Sequence, residues 1–373
     1  MDCGETFSSV IKPATIRTVL SLGLSKALSI YQLDIKNAFL DGEFKGTVYM
    51  YQPLGYRDPD RLNHVCLLKK SLYGLKQASQ AWYKQFTDYF HTLGFSHINT
   101  DHSLFVYRQC TSMAYFLLYV DNIILIAFSD ELCRSIILLL SSKFAMKDLG
   151  PLSYFLVIAI TRHTGGLFLS RKKYVAEIID QAGMSSHKPS LTPISPKPKL
   201  GATMSIPFVD PSLYQSHVGA LLYLTFTRPD ITFVVQHVCL SMHDPWDEHM
   251  NDLKRIVRYL QGTLDYRLHL YPSSTTTLIS FTDVDWRGWP DTRHLTLGYC
   301  VFMGDNLISW STKCQATLSL SSAEAEYRGL PMWFLSRVGC ETCFWNFIPI
   351  PQATFINCDN VITIYQDGNP IQD

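Results

Sequence analysis

The sequence lacks three features that would suggest a function class at once: an excess of charge of one sign, a long apolar run and a complete zinc-binding motif. Its 373 residues carry 32 Lys and Arg against 32 Asp and Glu, so the formal net charge is zero. Chains that bind nucleic acid over a wide surface are usually basic, so any basic groove here must be local. Apolar runs such as residues 114–120 are too short to cross a bilayer, and we expect no membrane partner.

The ten cysteines are scattered and do not form a zinc motif. Cys340 and Cys343 make one C-x-x-C pair, but no second pair and no nearby His pair completes a ligand set. Because the chain shows no signal peptide, this usage indicates reduced thiols and an intracellular protein.

Several common catalytic motifs are also missing. The chain has no Gly-x-Ser-x-Gly elbow, no Walker loop and no His-Glu-x-x-His helix, which disfavours the corresponding hydrolases, NTPases and zinc peptidases. What the chain does have is enough apolar residues, 47% of the total, to bury a core, and a length that allows two or three domains.

One short stretch, Tyr119-Val120-Asp121-Asn122, interrupts an apolar region. The flanking runs, residues 114–118 and 123–127, are rich in residues that favour strands. Two strands joined by a two-residue turn containing Asp and Asn form a tight hairpin, which would hold Asp121 at its tip. Ordinary turn chemistry explains an Asp-Asn pair equally well at this point.

Other acids stand at the ends of predicted elements. Asp34 lies in an apolar stretch that begins at Tyr31 and is predicted to be a strand end. Near the C-terminus, Asp283 follows a predicted strand, Glu326 lies in a helix predicted from Ala323, and Asp359 follows a strand predicted over 354–357. Two-metal phosphoryl transfer needs carboxylates on separate rigid elements. The acids therefore form two candidate sets, with helix caps and turns as the alternative explanation.

Apolar periodicity predicts the remaining elements. Helices are predicted over 13–28, 80–93, 129–144, 171–182, 214–225, 231–242 and 245–262, and strands over 48–51, 65–68, 154–160, 167–169, 277–282, 294–302 and 307–310. Residues 146–151 are predicted only to break the helix before them. Residues 185–212 contain six prolines and no periodicity, which is typical of a linker.

Ordered motifs over nearly the whole chain resemble the Pol polyprotein of copia-type LTR retrotransposons. The first half carries YQLDIKNAFLDG, SLYGLKQASQAWY, YVDN and MKDLGPLSYFL, which resemble the reverse transcriptase. The second half carries LYLTFTRPDI, RIVRYLQGTLDY, FTDVDW, ISWSTKCQ, SLSSAEAEY and CDN, which resemble the connection and the RNase H domain.

The resemblance implies roles for individual residues of the polymerase site. Asp34 matches the first palm carboxylate and Asp121 the first acid of the family's Tyr-x-Asp-Asp hairpin, and both would hold Mg²⁺, with Mn²⁺ as an alternative. Phe39 matches the aromatic residue that rejects a ribose 2′-hydroxyl, and Gln77 matches the glutamine near the incoming nucleotide sugar. Asn122 stands in the nucleotide site where the family has its second hairpin acid.

The resemblance also implies an RNase H metal site built from Asp283, Glu326 and Asp359. Glu326 is preferred to Glu324 because the Glu326-Tyr327-Arg328-Gly329 stretch resembles the start of the family's catalytic helix. The implied partners are an RNA template, a DNA primer, an RNA–DNA hybrid and dNTPs. Family resemblance places such a protein in a cytoplasmic virus-like particle or in the nucleus.

Departures from the family pattern point to a degenerate fragment. Asn122 replaces an acid, Val157 and Ala159 replace the Gly and the acid of the family's YFLGIEV, and Leu320 replaces an Arg. Both ends also resemble cuts inside a domain, with the fingers segment and the last RNase H residues outside the sequence. We therefore expect little or no polymerase activity, and we expect that Asn122→Asp alone does not restore it.

The expected fold is α+β: a partial reverse transcriptase palm, thumb and connection, followed by an RNase H-like α/β domain. The predicted domains are a reverse transcriptase with truncated fingers (1–184), the linker (185–212), connection helices (213–272) and a C-terminally truncated RNase H-like domain (273–373). The alternatives are a non-catalytic remnant that binds nucleic acid and, more weakly supported, a product that does not fold stably.

Overall fold

A computed structural model describes most of the chain. It covers residues 11–75, 77–98, 101–109, 112–194, 206–274, 277–285, 296–314 and 355–357. Contacts divide the chain into two compact units, one made of Met1–Val19 with Ala27–Leu152 and the other of Leu20–Lys26 with Ser153–Asp373. Among the described residues, no helix combines the length and the apolar character needed to span a membrane.

The described residues of unit 1 form four helices and eight strands. In chain order they are α1 (Pro13–Ser25), β1 (Ser29–Ile35), α2 (Ala38–Asp41), β2 (Glu43–Tyr51), β3 (Val65–Lys70), α3 (Ala78–Thr92), β4 (Phe95–Ile98), β5 (Asp101–Gln109), β6 (Ser112–Tyr119), β7 (Asn122–Ala127), α4 (Asp130–Lys143) and β8 (Met146–Pro151). α1 is divided between the units, with residues 13–19 assigned to unit 1 and residues 20–25 to unit 2.

A six-stranded sheet organises unit 1, in the order β4-β5-β6-β7-β1-β8. All of its neighbouring strands are antiparallel. β2 and β3 form a separate two-stranded sheet. β1, which carries Asp34, therefore lies between the β6–β7 hairpin and β8.

An aromatic core fixes one face of this sheet. On α3 the side chains of Trp82, Phe86 and Phe90 recur every four residues and are all buried, because this spacing keeps them on one helix face. The Phe90 ring centroid lies 4.4 Å from that of Phe86 and 4.4 Å from that of Phe116 on β6. α4 closes the same core with Cys133 and other apolar residues. This packing anchors the sheet, including its β6–β7 hairpin, to α3 and α4.

Unit 2 continues with four α-helices, a 3₁₀ helix and eight strands among the described residues. They are β9 (Tyr154–Phe155), β10 (Ile158–His163), β11 (Gly166–Ser170), α5 (Lys172–Gln181), α6 (Pro211–Leu224), a 3₁₀ helix (Pro229–Ile231), α7 (Thr232–Cys239), α8 (Asp247–Gly262), β12 (Leu268–Leu270), β13 (Leu278–Asp285), β14 (Thr296–Met303), β15 (Asn306–Cys314) and β16 (Phe355–Asn357).

Two four-stranded sheets belong to unit 2. One has the order β12-β11-β10-β9 and is antiparallel. The other has the order β15-β14-β13-β16, in which β13 pairs antiparallel with β14 and parallel with β16. The helices α5 to α8 share one apolar core that includes Ile178, Leu221, Val235 and Leu253.

Residues 154–160 differ from the prediction of one strand, which was wrong. The chain turns back at Leu156 and Val157, so that Phe155 of β9 pairs with Ile158 of β10. Both turn residues have positive φ, 50° and 61°. Apolar side chains hid the turn, because such turns usually carry Gly, Asn or Asp.

The Pro-rich segment is described over residues 185–194 and 206–212, and residues 185–194 lie alongside α8. Ser190 N–H donates to the Arg258 carbonyl at 3.1 Å, and Gln261 Nε2 donates to the Ser185 carbonyl at 2.9 Å. Arg255 Nε donates to the Ile194 carbonyl at 3.0 Å. The compact units divide at residues 152 and 153, whereas the main boundary was predicted at 184 and 185, and the domain assignments remain predictions.

Candidate active site

The tip of the β6–β7 hairpin is displaced by one residue from the prediction. Tyr119 pairs with Asn122, so the two turn residues are Val120 and Asp121, and Asn122 is the first residue of β7. Val120 has φ 59°, which is unfavourable for a β-branched side chain. Trp82 Nε1 on α3 donates to the Val120 carbonyl at 2.9 Å and so holds this strained tip from the aromatic core.

Asp34 lies next to this tip on β1. The β1–β7 register places Asp34 opposite Asn122, and Ile35 N–H donates to the Asp121 carbonyl at 2.9 Å. Both acids are half-buried. The structure therefore brings the backbones of Asp34 and Asp121 together on neighbouring elements, although 86 other residues separate them in the chain.

The polar residues share the sheet face that is opposite the aromatic core. Leu33 and Ile35 belong to that core, so the alternation of side chains places Asp34 on the other face. Asn122 lies beside it in the register, and Lys147 of β8 lies opposite Asp34 on the other side. Directly opposite residues on antiparallel strands have adjacent side chains. Lys147, which sequence reasoning missed, thus adds a cation to the row.

Asn122 makes a contact that an acid could not make. Its Nδ2 donates to Oδ1 of Asp121 at 2.8 Å. A second carboxylate at this position would add a negative charge and would repel Asp121 instead. The asparagine therefore occupies one oxygen of the candidate metal ligand and lowers the negative charge of the site by one.

The other two nucleotide-site candidates, Phe39 and Gln77, lie near the start of α3. Phe39 is half-buried on α2, its ring is edge-to-face with Tyr73 at 5.7 Å, and its carbonyl accepts a hydrogen bond from Ser71 Oγ. Gln77 is exposed immediately before α3, where its carbonyl accepts from Ala81 N–H at 3.0 Å. Their expected contacts with a nucleotide remain predictions.

Close backbone packing at Gly42 positions α2 against α3. A Cβ at Gly42 would lie 2.9 Å from Ser71 Oγ and 3.0 Å from the backbone nitrogen of Trp82. Only glycine fits without a shift, so this residue keeps the segment that carries Phe39 close to the helix that carries Trp82.

The second set of acids is described only in part. Asp283 is exposed on β13, opposite Gly298 of β14, and lies two residues before the end of this strand, whose predicted end was Thr282. Glu326, Glu324 and Asp359 lie outside the described residues, as do Cys340 and Cys343. The proposed convergence of Asp283, Glu326 and Asp359 therefore stays a prediction.

The donor set at the hairpin suits a divalent ion that takes few protein ligands. No group of three or more His, Cys, Asp or Glu residues in the described ranges is arranged to hold a metal. Mg²⁺ commonly takes one or two carboxylates and completes its shell with water and substrate phosphates. Asp34 and Asp121, both carboxylates on a rigid sheet, fit that requirement.

Comparison with known families decides the class of the protein. A family model described as "Reverse transcriptase (RNA-dependent DNA polymerase)" matches residues 1–196. The chain belongs to the reverse transcriptase family. The sheet with Asp34 and the Asp121 hairpin lies inside the matched segment, so the motifs that predicted a reverse transcriptase are confirmed at the level of the family.

Three of the proteins similar to this chain are transposon polyproteins. It is 41% identical to the retrovirus-related Pol polyprotein from transposon RE1 and 40% identical to that from transposon RE2, both of Arabidopsis thaliana, over the whole of this chain. It is 36% identical to the Pol polyprotein from transposon TNT 1-94 of Nicotiana tabacum over 88% of this chain. The matches cover 25%, 26% and 25% of those proteins, so the chain spans about a quarter of their length. The predicted resemblance to copia-type Pol polyproteins is confirmed.

Proposed function

We propose that the chain is the RNA-directed DNA polymerase and RNase H region of a copia-type retrotransposon, with a weakened polymerase site. The observation that carries the proposal is the β1–β7 register, which places Asp34 opposite Asn122 and beside Asp121. Its partners are an RNA template, a DNA primer, the RNA–DNA hybrid and dNTPs. We further propose an intracellular location, in a cytoplasmic virus-like particle or the nucleus.

In this proposal each residue of the polymerase site has a separate task. Asp34 and Asp121 hold Mg²⁺, or Mn²⁺, which when bound neutralises phosphate charge and polarises the reacting phosphoryl group. Phe39 excludes the ribose 2′-hydroxyl by filling its space, and Gln77 contacts the sugar of the incoming nucleotide. Lys147 lies beside Asp34 in the register and limits the repulsion between the two carboxylates.

Two observations support a weakened site. Asn122 supplies a neutral amide in place of a carboxylate and engages Asp121 Oδ1, which lowers the affinity for a cation. Val157 occupies a left-handed turn in the stretch that resembles the primer grip, where the family has glycine. A misplacement of the primer terminus by ~1 Å can cost about 10²-fold in rate.

The RNase H part of the proposal is supported by strand order. Three antiparallel strands are followed, after a long crossover, by β16, which pairs parallel with β13. Phe281 pairs with Asn357, and the candidate acids Asp283 and Asp359 each follow these residues by two positions. We propose that these two acids and Glu326 form the hybrid-cleaving metal site, with Glu324 directed elsewhere.

Primer extension on an RNA template with Mg²⁺ tests the polymerase proposal. Three proteins are compared: the chain as given, the Asn122→Asp variant, and a fusion protein. In the fusion, the segment of the RE1 polyprotein that precedes the matched region is attached to the N-terminus of the Asn122→Asp variant. We expect extension from the third protein, and background or near-background signal from the first two. Adding Asp34→Asn to the third protein should abolish its signal.

The same assay separates the alternatives. Robust extension by the chain as given would contradict the weakened site. A chain that binds a primer–template duplex with steep salt dependence but yields no extension in any version would favour the non-catalytic nucleic-acid-binding remnant. Cleavage of the RNA strand of a labelled hybrid, lost in Asp283→Asn, tests the RNase H proposal separately.

A further inference from the structure

The Leu156–Val157 turn between β9 and β10 has an unusual backbone for its residues. Both residues have positive φ, which matches the type I′ hairpin turn that normally carries Asn-Gly or Gly-Gly. Neither leucine nor valine favours this conformation, and valine, being β-branched, favours it least. Local sequence therefore does not maintain the turn, and its neighbours must do so.

Two side chains from distant parts of unit 2 hold one carbonyl of this turn. Arg171 Nη2, from the residue before α5, donates to the Leu156 carbonyl at 3.2 Å. The Tyr223 hydroxyl, from the last turn of α6, donates to the same oxygen at 3.0 Å. A carbonyl oxygen has two lone pairs, so these two donors saturate it.

The same two residues also hold each other. The Arg171 guanidinium lies over the Tyr223 ring, 3.9 Å from its centroid, and its Nη1 donates to the Tyr223 carbonyl. Phe226 covers a further side at 4.9 Å. Arg171 is thus a buried, immobilised fork whose orientation is set by aromatic faces.

Arg171 is costly to bury, which argues for a role beyond filling space. Within the described part of the chain, no carboxylate forms an ion pair with it, and its Nε has no hydrogen-bond partner. Burial lowers the pKa of the guanidinium. An apolar side chain would fill this space at lower cost, but it could not donate to the Leu156 carbonyl.

We propose that Arg171 and Tyr223 are positioning residues of the polymerase, which clamp the Leu156–Val157 turn in the left-handed conformation that places the primer terminus. The inference rests on the proposed function, in which this turn lies in the primer-grip region. In this chain the clamp carries more of the task, because Val157 replaces the glycine that would adopt the turn unaided.

The test measures where the primer end lies and does not need catalysis. A DNA primer with 2-aminopurine at its 3′ end is annealed to an RNA template, and its fluorescence is recorded on binding to the full chain. Tyr223→Phe keeps the ring under Arg171 and removes only the hydroxyl. The loss of one hydrogen bond of this type shifts the equilibrium between the clamped and the released turn about fivefold. We therefore expect a smaller change in 2-aminopurine fluorescence on binding, while the Kd for the duplex stays the same within about twofold. Arg171→Lys should act in the same direction.

Two further variants distinguish positioning from a general loss of structure. Tyr174→Phe is the matched control, because the Tyr174 hydroxyl donates to the Ala220 carbonyl at 3.5 Å and its ring contacts Tyr223, whereas the described hydrogen bonds to the Leu156 carbonyl come from Arg171 and Tyr223. It should leave the primer-end signal unchanged. Val157→Gly added to Tyr223→Phe should restore the signal, because glycine adopts positive φ without a clamp.

Each outcome decides between the proposals. An unchanged primer-end signal in both Tyr223→Phe and Arg171→Lys overturns the clamp, and so does a loss that Val157→Gly fails to restore. If the unaltered chain does not bind the duplex, the proposed function itself fails and the clamp fails with it. Thermal unfolding of each variant identifies any that has lost its fold, and the Tyr223→Phe and Val157→Gly pair keeps the test decisive without Arg171→Lys.

Discussion

At the scale of single residues, Val157 stores backbone strain that glycine would release. Its φ of 61° costs a residue with a Cβ about 1–2 kcal/mol, while glycine loses about 0.5–1 kcal/mol more entropy on folding. We therefore expect Val157→Gly to raise the free energy of unfolding by about 0.5–1 kcal/mol, as measured by urea denaturation.

The neighbouring Ala159 provides the control for that prediction. It is exposed on β10 in regular strand conformation, so Ala159→Gly gains no relief from strain. It should lower the free energy of unfolding by about 0.5–1 kcal/mol. The strain argument is wrong if both glycine variants destabilise the chain equally.

The Cys133 thiol offers a prediction about reactivity and pH. Burial within α4 raises its pKa to about 12, and the nearby Asp130 charge acts in the same direction. Because the thiolate is the reactive form, native Cys133 should resist iodoacetamide at pH 8.5, whereas the half-buried Cys66 should react. Mass spectrometry of the labelled peptides checks this, and equal labelling of both residues in the native protein would contradict it.

The same shift gives the sign of a pH effect on stability. The folded pKa of Cys133 lies above its ordinary value of 9.0, so its contribution is complete below pH 9. As pH rises from about 9 toward 12, the unfolded chain ionises while the folded chain does not, and stability falls.

At the scale of elements, Asp101 joins the start of β5 to the start of α1. Its Oδ2 accepts from Lys12 N–H at 3.0 Å and from Thr15 Oγ1 at 2.6 Å, and its Oδ1 accepts from Ser103 N–H at 3.0 Å. The negative charge of a carboxylate near a helix N-terminus also interacts favourably with the helix dipole. The carboxylate thus anchors the beginning of α1.

Asp101→Asn should destabilise the chain although it preserves shape. Both carboxylate oxygens of Asp101 accept hydrogen bonds. In the asparagine variant the NH₂ group would replace one of these oxygens and would face a hydrogen-bond donor. We expect the free energy of unfolding to fall by about 2 kcal/mol. Asp88→Asn, an exposed site on α3, is the matched control and should change it by less than about 0.5 kcal/mol. Equal effects of the two variants would contradict the role of Asp101.

Elements with a strong local signal could be predicted from the sequence, and those formed by distant pairing could not. The aromatic spacing of α3 and the apolar runs of β6 and β7 predicted all three elements closely. β8 was missed because its polar, Gly- and Pro-containing residues do not favour a strand, and it forms by pairing with β1. β4 and β5 were missed as well.

At the scale of the whole molecule, the prediction of the candidate site depended on the resemblance to a known family, because apolar periodicity alone does not show which acids come together. Asp34 and Asp121 were predicted as a pair, and the β1–β7 register puts them on neighbouring elements. Their supporting residues were missed, since the bond from Trp82 to Val120 and the position of Lys147 depend on tertiary packing. Likewise, the turn at Val120 could not be predicted, because valine does not favour it.

The most direct test of the central claim, that Asp34 and Asp121 share a divalent ion, is a Mn²⁺ titration followed by electron paramagnetic resonance. The full chain is titrated with a primer–template and a dNTP present, and any Mn²⁺ held by the C-terminal acids is common to every variant. We expect Asp34→Asn and Asp121→Asn each to weaken one Mn²⁺ site by about tenfold or more, with Asp88→Asn unchanged. Identical titrations for the chain and for both site variants would contradict the account.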